Sequence, residues 1–241
     1  MQNILLFIDL DDTLFQTKRK NPHGIIPVSH NAKTGRSSYM TRAQELFFEL
    51  FSNEEKVKII PTTARDLQQY NNCFLSRSPR IDTAILYFSG IILEKGVEEK
   101  QWQQHIQAAY SQLDMPISQL FTQAEKIVDN NPQFTVDNVD DYYLIVRAQI
   151  DCPKNTKENL FSQLNVLKTP DYFIHQNNRL FLFAPNFLDK RYAVQYLIEK
   201  HQPELTLGVG DSMTDLPFMQ QCDFRIFPKN AQIEELFNVM I

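Results

Sequence analysis

Two hydrophobic patterns alternate along the chain. Compact apolar runs at 4–8, 56–61, 83–88, 205–209 and 224–227 read as buried strands. Between them, apolar residues recur every three or four positions. Ala43, Leu46, Phe47, Leu50 and Phe51 follow Thr41, a residue suited to capping a helix start, and predict a helix there. Further helices are predicted over 66–74, 190–200, 213–221 and 231–239. Strands alternating with helices favour an α/β architecture with a mainly parallel sheet.

The pattern changes between about 90 and 185. Helices at 102–113 and 117–128 lead into aromatic-rich strands at 133–136 and 142–148, a helix at 156–167, and strands at 172–175 and 180–184 joined through Gln176-Asn177-Asn178. Asp140-Asp141 reads as a turn between two of these strands. This is an α+β module inserted into the α/β chain. The expected division is a core of 1–84 with 187–241 and an inserted domain of 85–186.

Composition narrows the picture slightly. A 43% hydrophobic content over 241 residues supports a full core. A net charge of -5 gives no support for general nucleic-acid binding. Cys73, Cys152 and Cys222 are sparse and unpaired in spacing, as expected for reduced thiols in a cytosolic protein. The first apolar run is broken by Asp9 too early for a signal peptide, and no stretch approaches the roughly 20 apolar residues of a membrane helix. Glycine is scarce, yet Gly208 and Gly210 flank Val209, where the backbone is expected to turn sharply or approach a ligand.

The candidate chemistry lies at strand ends, the edge of an open parallel sheet where ligand sites form. "DLDDT" covers 9–13, "PTTAR" covers 61–65, Lys190 opens a predicted helix, and "GDSMTD" covers 210–215. Asp9 and Asp11 are two residues apart and share a face in extended chain, whereas Asp12 reads as a turn residue. If Asp211 and Asp215 join them, the carboxylates repel one another unless a cation sits among them. Oxygen donors without His or Cys suit Mg²⁺. Lys190 and Thr63, or the adjacent Thr62, then add a charge and a hydroxyl, which makes a receptor for a phosphoryl group.

In this order the motifs resemble those of the haloacid dehalogenase superfamily, whose members are mostly Mg²⁺-dependent phosphatases. "DLDDT" fits its D-x-D-x-T motif, and "TAR" departs from the Thr-Gly-Arg form only at Ala64. Lys190 fits the lysine motif, and Gly210, Asp211 and Asp215 fit the acidic G-D-x-x-x-D motif. The resemblance implies Asp9 as nucleophile and Asp11 as general acid and base. It implies metal ligation by Asp9, the Asp11 carbonyl and Asp211, with Asp215 as ligand or supporting partner. Thr63 and Lys190 are implied as phosphate-binding residues.

The insertion resembles the large α/β cap of Cof-type and sucrose-phosphate-phosphatase-like relatives, although Ser89-Gly90 stands where many carry Asn-Gly. The resemblance therefore implies a Rossmann-like core with an inserted α+β cap. Its implied activity is Mg²⁺-dependent hydrolysis of a small phosphorylated metabolite, plausibly a sugar phosphate, through an aspartyl-phosphate intermediate. A sugar phosphomutase, or a catalytically idle module binding a phospho-ligand or nucleic acid, are the alternatives. Arg147, a charge within an apolar strand, is a candidate substrate contact. Arg65 is open to either an acid partner near the turn or the substrate. Lys18, Arg19, Lys20, Lys33, Arg36 and Arg42 fall in a stretch without acids that reads as a long loop able to steer or cover an anion.

Overall fold

The computed structural model of the chain describes residues 3–31, 35–177, 179–234 and 236. The strands are β1 (Ile4–Ile8), β2 (Gln16–Thr17), β3 (Ile26–Asn31), β4 (Arg36–Met40), β5 (Val57–Pro61), β6 (Thr83–Leu86), β7 (Ile91–Glu94), β8 (Val97–Glu98), β9 (Phe134–Val139), β10 (Tyr143–Ala148), β11 (Tyr172–Asn177), β12 (Leu180–Pro185), β13 (Leu205–Val209) and β14 (Phe224–Ile226). The α-helices are α1 (Arg42–Ser52), α2 (Leu67–Asn71), α3 (Lys100–Tyr110), α4 (Ile117–Val128), α5 (Lys154–Leu164), α6 (Lys190–His201) and α7 (Leu216–Met219). No helix among the described residues is long and apolar enough to cross a membrane.

The chain forms two compact units, 1–103 with 189–241, and 104–188. The first is built on a parallel sheet in the order β14-β13-β1-β5. Central β1 is apolar throughout because neighbours occupy both its edges and its side chains are covered on both faces. Register pairs Ile8 with Pro61 on one side and Val209 on the other. The chain leaves β1 for β5 at one edge and later returns to β13 at the other. Asp9 and Gly210 therefore flank the point where the strand order reverses, the place where open α/β sheets bind ligands.

β6 continues from β5 through a parallel bridge between Thr62 and Ile85 and a hydrogen bond from Thr63 N to Ile85 O (2.9 Å), and pairs on into antiparallel β7 and β8. That attachment keeps residues 83–98 in the first unit, whereas the sequence placed the division at 84/85. The stretch following β2, expected to be a loop, instead forms an antiparallel sheet in the order β2-β4-β3. A register shift between Pro27 and Ser29 interrupts its alternation, which hides the strands in the sequence. Two basic side chains of this stretch have local partners, with Lys20 paired to Asp12 and Lys18 4.6 Å from the Tyr39 ring centre, and Arg42 at the start of α1 pairs with Glu45. Lys33 lies outside the described residues, as does the Arg36 side chain.

Helix starts follow their caps. Thr41 and Gln44 form a capping box on α1, Asp66 accepts from Gln69 N at α2, and Asp189 accepts from Arg191 N at α6. In α6, Lys190, Ala193, Val194 and Leu197 share the buried face. The helix predicted over 213–221 is shorter, because Ser212 to Asp215 form a turn around the Asp215 carboxylate. Of the helix predicted over 231–239, a short 3-10 turn at Gln232–Glu234 is present, and 235 and 237–239 lie outside the described residues.

The second unit is an antiparallel sheet, β11-β12-β10-β9, packed with α4 and α5 around Phe134, Leu144, Phe161, Phe181 and Phe183. Asp140 and Asp141 both have positive φ (49° and 62°), the twist that suits a tight hairpin. β11 and β12 pair in the antiparallel sense expected of the second hairpin; Asn178 in its connection lies outside the described residues. Arg147 is matched by Asp137, with Nη1 3.3 Å from a carboxylate oxygen, which gives its charge a partner within the sheet.

Candidate functional site

The ends of β1, β5 and β13 and the first turn of α6 carry the candidate residues of the first unit, and Asp9, Lys190, Asp211 and Asp215 come together there. Asp9 is 5% exposed; its amide donates to Val209 O at 2.8 Å, so the strand ladder continues through it and fixes its side chain. One carboxylate oxygen of Asp9 accepts from Lys190 Nζ at 2.6 Å, and the other faces the Thr13 hydroxyl at 3.1 Å. Thr13 Oγ1 is also 3.0 Å from an Asp211 oxygen. Lys190 Nζ donates again to Asp215 at 2.7 Å. The second Asp215 oxygen accepts from the amides of Asp211 (3.2 Å) and Ser212 (3.0 Å) and from the Ser212 hydroxyl (2.7 Å). Asp9, Asp211 and Asp215 each place a carboxylate oxygen within 4.8 Å of the others.

The close packing of Asp215 requires glycine at 210. A Cβ on Gly210 would lie 2.5 Å from the Asp215 Cβ. One on Gly208 would lie 3.0 Å from the Met219 backbone. Both glycines let α7 and the turn before it close onto β13.

Burial and charge pull the acids apart. Burial and the neighbouring Asp215 push the Asp9 carboxyl well up, with Lys190 opposing. Burial, with Asp215 close by, raises Asp211 to about 6. Burial also works to raise Asp215, yet Lys190 and the Ser212 donors hold it below the ordinary range. Burial disfavours the Lys190 ammonium, but Asp215 and Asp9 keep it charged. Three carboxylates thus crowd around one lysine, and the excess is negative.

Asp11 stands apart from this cluster. Its side chain is 54% exposed and is clamped by Arg65, whose Nε and Nη2 donate to its two oxygens at 2.7 and 2.8 Å. Asp12 takes φ = 71° and turns the chain, as expected. The two threonines also separate: the Thr62 hydroxyl donates to Ile60 O (3.0 Å), whereas Thr63 Oγ1 accepts from Arg65 N (3.2 Å) and keeps its own hydrogen to give.

No protein-family model and no curated protein matches the sequence. Solved structures do match the fold. A Synechocystis sucrose-phosphatase, solved with sucrose and phosphate, superposes with a TM-score of 0.60 at 15% identity, covering 100% of this chain and 88% of its own. A trehalose-6-phosphate phosphatase related protein gives 0.54 at 12%, covering 98% and 96%. An IMP-nucleotidase of Plasmodium falciparum, bound to IMP, gives 0.57 at 12%, covering 99% and 68%. The chain shares its fold with these enzymes.

Within that fold, the sequence assigned no role to Ser212 or to the Tyr87–Phe88 turn, and left Arg65 between two partners. Ser212 satisfies Asp215 from the next turn of chain. Arg65 binds Asp11, one of the two partners its sequence context allowed. Tyr87 and Phe88 take successive positive φ values of 50° and 65°, and their amides donate to Arg65 O and Thr63 O at 3.0 Å each. Bulky aromatics rarely adopt that conformation, so composition gave no signal for a turn that braces the Thr63–Arg65 segment.

Proposed function

We propose that this chain is a phosphoric monoester hydrolase that moves a phosphoryl group from a small phosphorylated metabolite to Asp9 and then to water. One observation carries it: Asp9 is a buried carboxylate at the sheet's switch point, held by Lys190 and Thr13 beside Asp211. The like fold of sugar-phosphate phosphatases and of a nucleotidase supports this class, and sugar phosphates head the substrate panel.

The all-oxygen donor set and its excess negative charge fit a hard divalent cation. Asp9, Asp211 and the Asp11 carbonyl would hold Mg²⁺. Asp215, with both oxygens already engaged, orients Lys190 and the Asp211 backbone. Bound there, Mg²⁺ offsets negative charge on the transferring group.

In the first step an Asp9 oxygen attacks phosphorus, and the ester oxygen leaves with a proton from Asp11. Lys190 and the Thr63 hydroxyl hold the phosphoryl oxygens. In the second step Asp11 removes a proton from water as the water oxygen bonds to phosphorus. The Asp9–phosphorus bond breaks, and phosphate departs. The 104–188 unit is assigned to substrate selection, with Arg147 as a contact to test.

The test is a phosphate-release screen over phosphorylated metabolites with Mg²⁺, run beside Asp9→Asn. Turnover that depends on both Mg²⁺ and Asp9 is expected. Absence of turnover, or full activity in Asp9→Asn, refutes the mechanism.

A further inference from the structure

The antiparallel β2-β4-β3 sheet contributes to the site through one hydroxyl. Ser29 of β3 bridges to Cys73, and its Oγ accepts from Arg65 Nη1 at 2.9 Å. Arg65 is 9% exposed and has five N–H donors. Nε and Nη2 go to Asp11, and Nη1 goes to Ser29 and, at 3.4 Å, to Gln69 O. The guanidinium stacks over Phe15, 4.8 Å from the ring centre. Little of it remains for a substrate. Its backbone is fixed as well, by Thr63 Oγ1 at its amide and the Tyr87 amide at its carbonyl. The planar fork thus has its orientation set from four directions. It presents to Asp11 the two-point geometry that fixes a carboxylate plane.

We propose that Ser29 and Arg65 are positioning residues that aim the Asp11 carboxylate at the attacking water, so that the small sheet serves the second half of the reaction. This rests on the phosphatase function above. In that half-reaction Asp11 accepts the water proton, the water oxygen bonds to phosphorus, and the Asp9 oxygen leaves with the bonding electrons. An Asp11 paired side-on with a guanidinium has both oxygens oriented for that proton transfer. The first half-reaction is less dependent on Asp11 when the leaving group departs readily, as p-nitrophenolate does.

The two halves can therefore be separated with p-nitrophenyl phosphate and Mg²⁺. Arg65→Lys keeps the charge but loses the fork, and Ser29→Ala removes its support. For Arg65→Lys, kcat should fall about 10- to 100-fold, up to the lower end of what a general base contributes, because Asp11 itself remains. KM should fall with it, leaving kcat/KM nearly unchanged. A burst of p-nitrophenolate of about one equivalent should precede the slow phase, because the Asp9 phospho-form accumulates. Ser29→Ala should show the same split at about 3-fold, and Ser29→Thr, which restores the hydroxyl, should reverse it.

A fall in kcat/KM without a burst, or no effect in either variant, overturns the positioning role while leaving the phosphatase function standing. Should Arg65→Lys fail to fold, the Ser29→Ala and Ser29→Thr pair decides. If the wild-type protein shows no turnover, or Asp9→Asn keeps it, the phosphatase function falls first and the positioning role with it.

Discussion

The two units bury different things. Among the described residues, every buried Asp, Lys and Arg lies in the first unit: Asp9, Arg65, Lys190 and Asp215. Among its described residues, the second unit buries no charged side chain. Its interior is a chain of aromatic contacts, with Phe161 to Phe181 at 5.2 Å and Phe181 to Phe183 at 5.0 Å between ring centres. The polar tips there are tyrosine hydroxyls handed to carbonyls, Tyr110 to Tyr142 O (2.7 Å) and Tyr172 to Met115 O (2.5 Å). Buried charges are poor stabilisers, since desolvation offsets much of their attraction. The second unit shows that this chain can build a core without them. The first unit keeps them at the strand ends where the sheet order reverses, which is where the proposed phosphoryl transfer needs them.

The largest expected effect breaks activity without breaking the fold. Asp9→Asn should lower phosphate release by about 10⁴-fold or more, the scale of losing a nucleophile. It also removes one of three crowded carboxylates, so its unfolding free energy from urea titration should stay level or rise by about 1 kcal/mol. A clear loss of stability in this variant would show that the cluster is a structural asset and would dissolve the contrast.

Next come two substitutions of similar cost and opposite cause. Lys190→Met leaves Asp9 and Asp215 buried without their cation and should cost about 3–5 kcal/mol in metal-free urea unfolding. Phe183→Ala should cost about 3–5 kcal/mol by opening a cavity in the second unit. Adding Asp9→Asn separates them. It should recover stability in the Lys190→Met background and add within about 0.5 kcal/mol to Phe183→Ala, since only the first pair shares a charge network.

The smallest effect concerns pH. Burial holds the His175 imidazole of β11 below its ordinary value. The folded chain therefore binds fewer protons there than the unfolded chain. This contribution is complete above about pH 6.5 and is lost as the pH falls through the lower folded value. Comparing urea midpoints above and below that window, His175→Gln should lose less stability on acidification than the wild type. An identical loss in both would assign the acid sensitivity to other groups.

Local signals carried most of the fold. The apolar run of β1, the Thr41 cap of α1 and the periodicity of α4 each lie within a dozen residues, and each was legible from the sequence. The acid and lysine motifs were legible too, because the acids follow apolar strands and the lysine opens a capped helix. What escaped depends on distance or on exception. Arg65 meets Asp11 across 54 positions, which no periodicity reports. β3 and β4 escaped because Pro27 and the shift at Ser29 break alternation in a sheet with little buried surface. Tyr87 and Phe88 escaped because residues of their type almost never turn that way.

Lys190 also sets how this chain can change length. It opens α6 and shares a buried face with Ala193, Val194 and Leu197. Deleting one residue at 191 or 192 would rotate the lysine by about 100° relative to that face and carry its ammonium away from Asp9 and Asp215. Loops of the 104–188 unit position none of the buried charges. Over evolutionary time, insertions and deletions should accumulate there, while the first turn of α6 keeps its residue count as strictly as its charge.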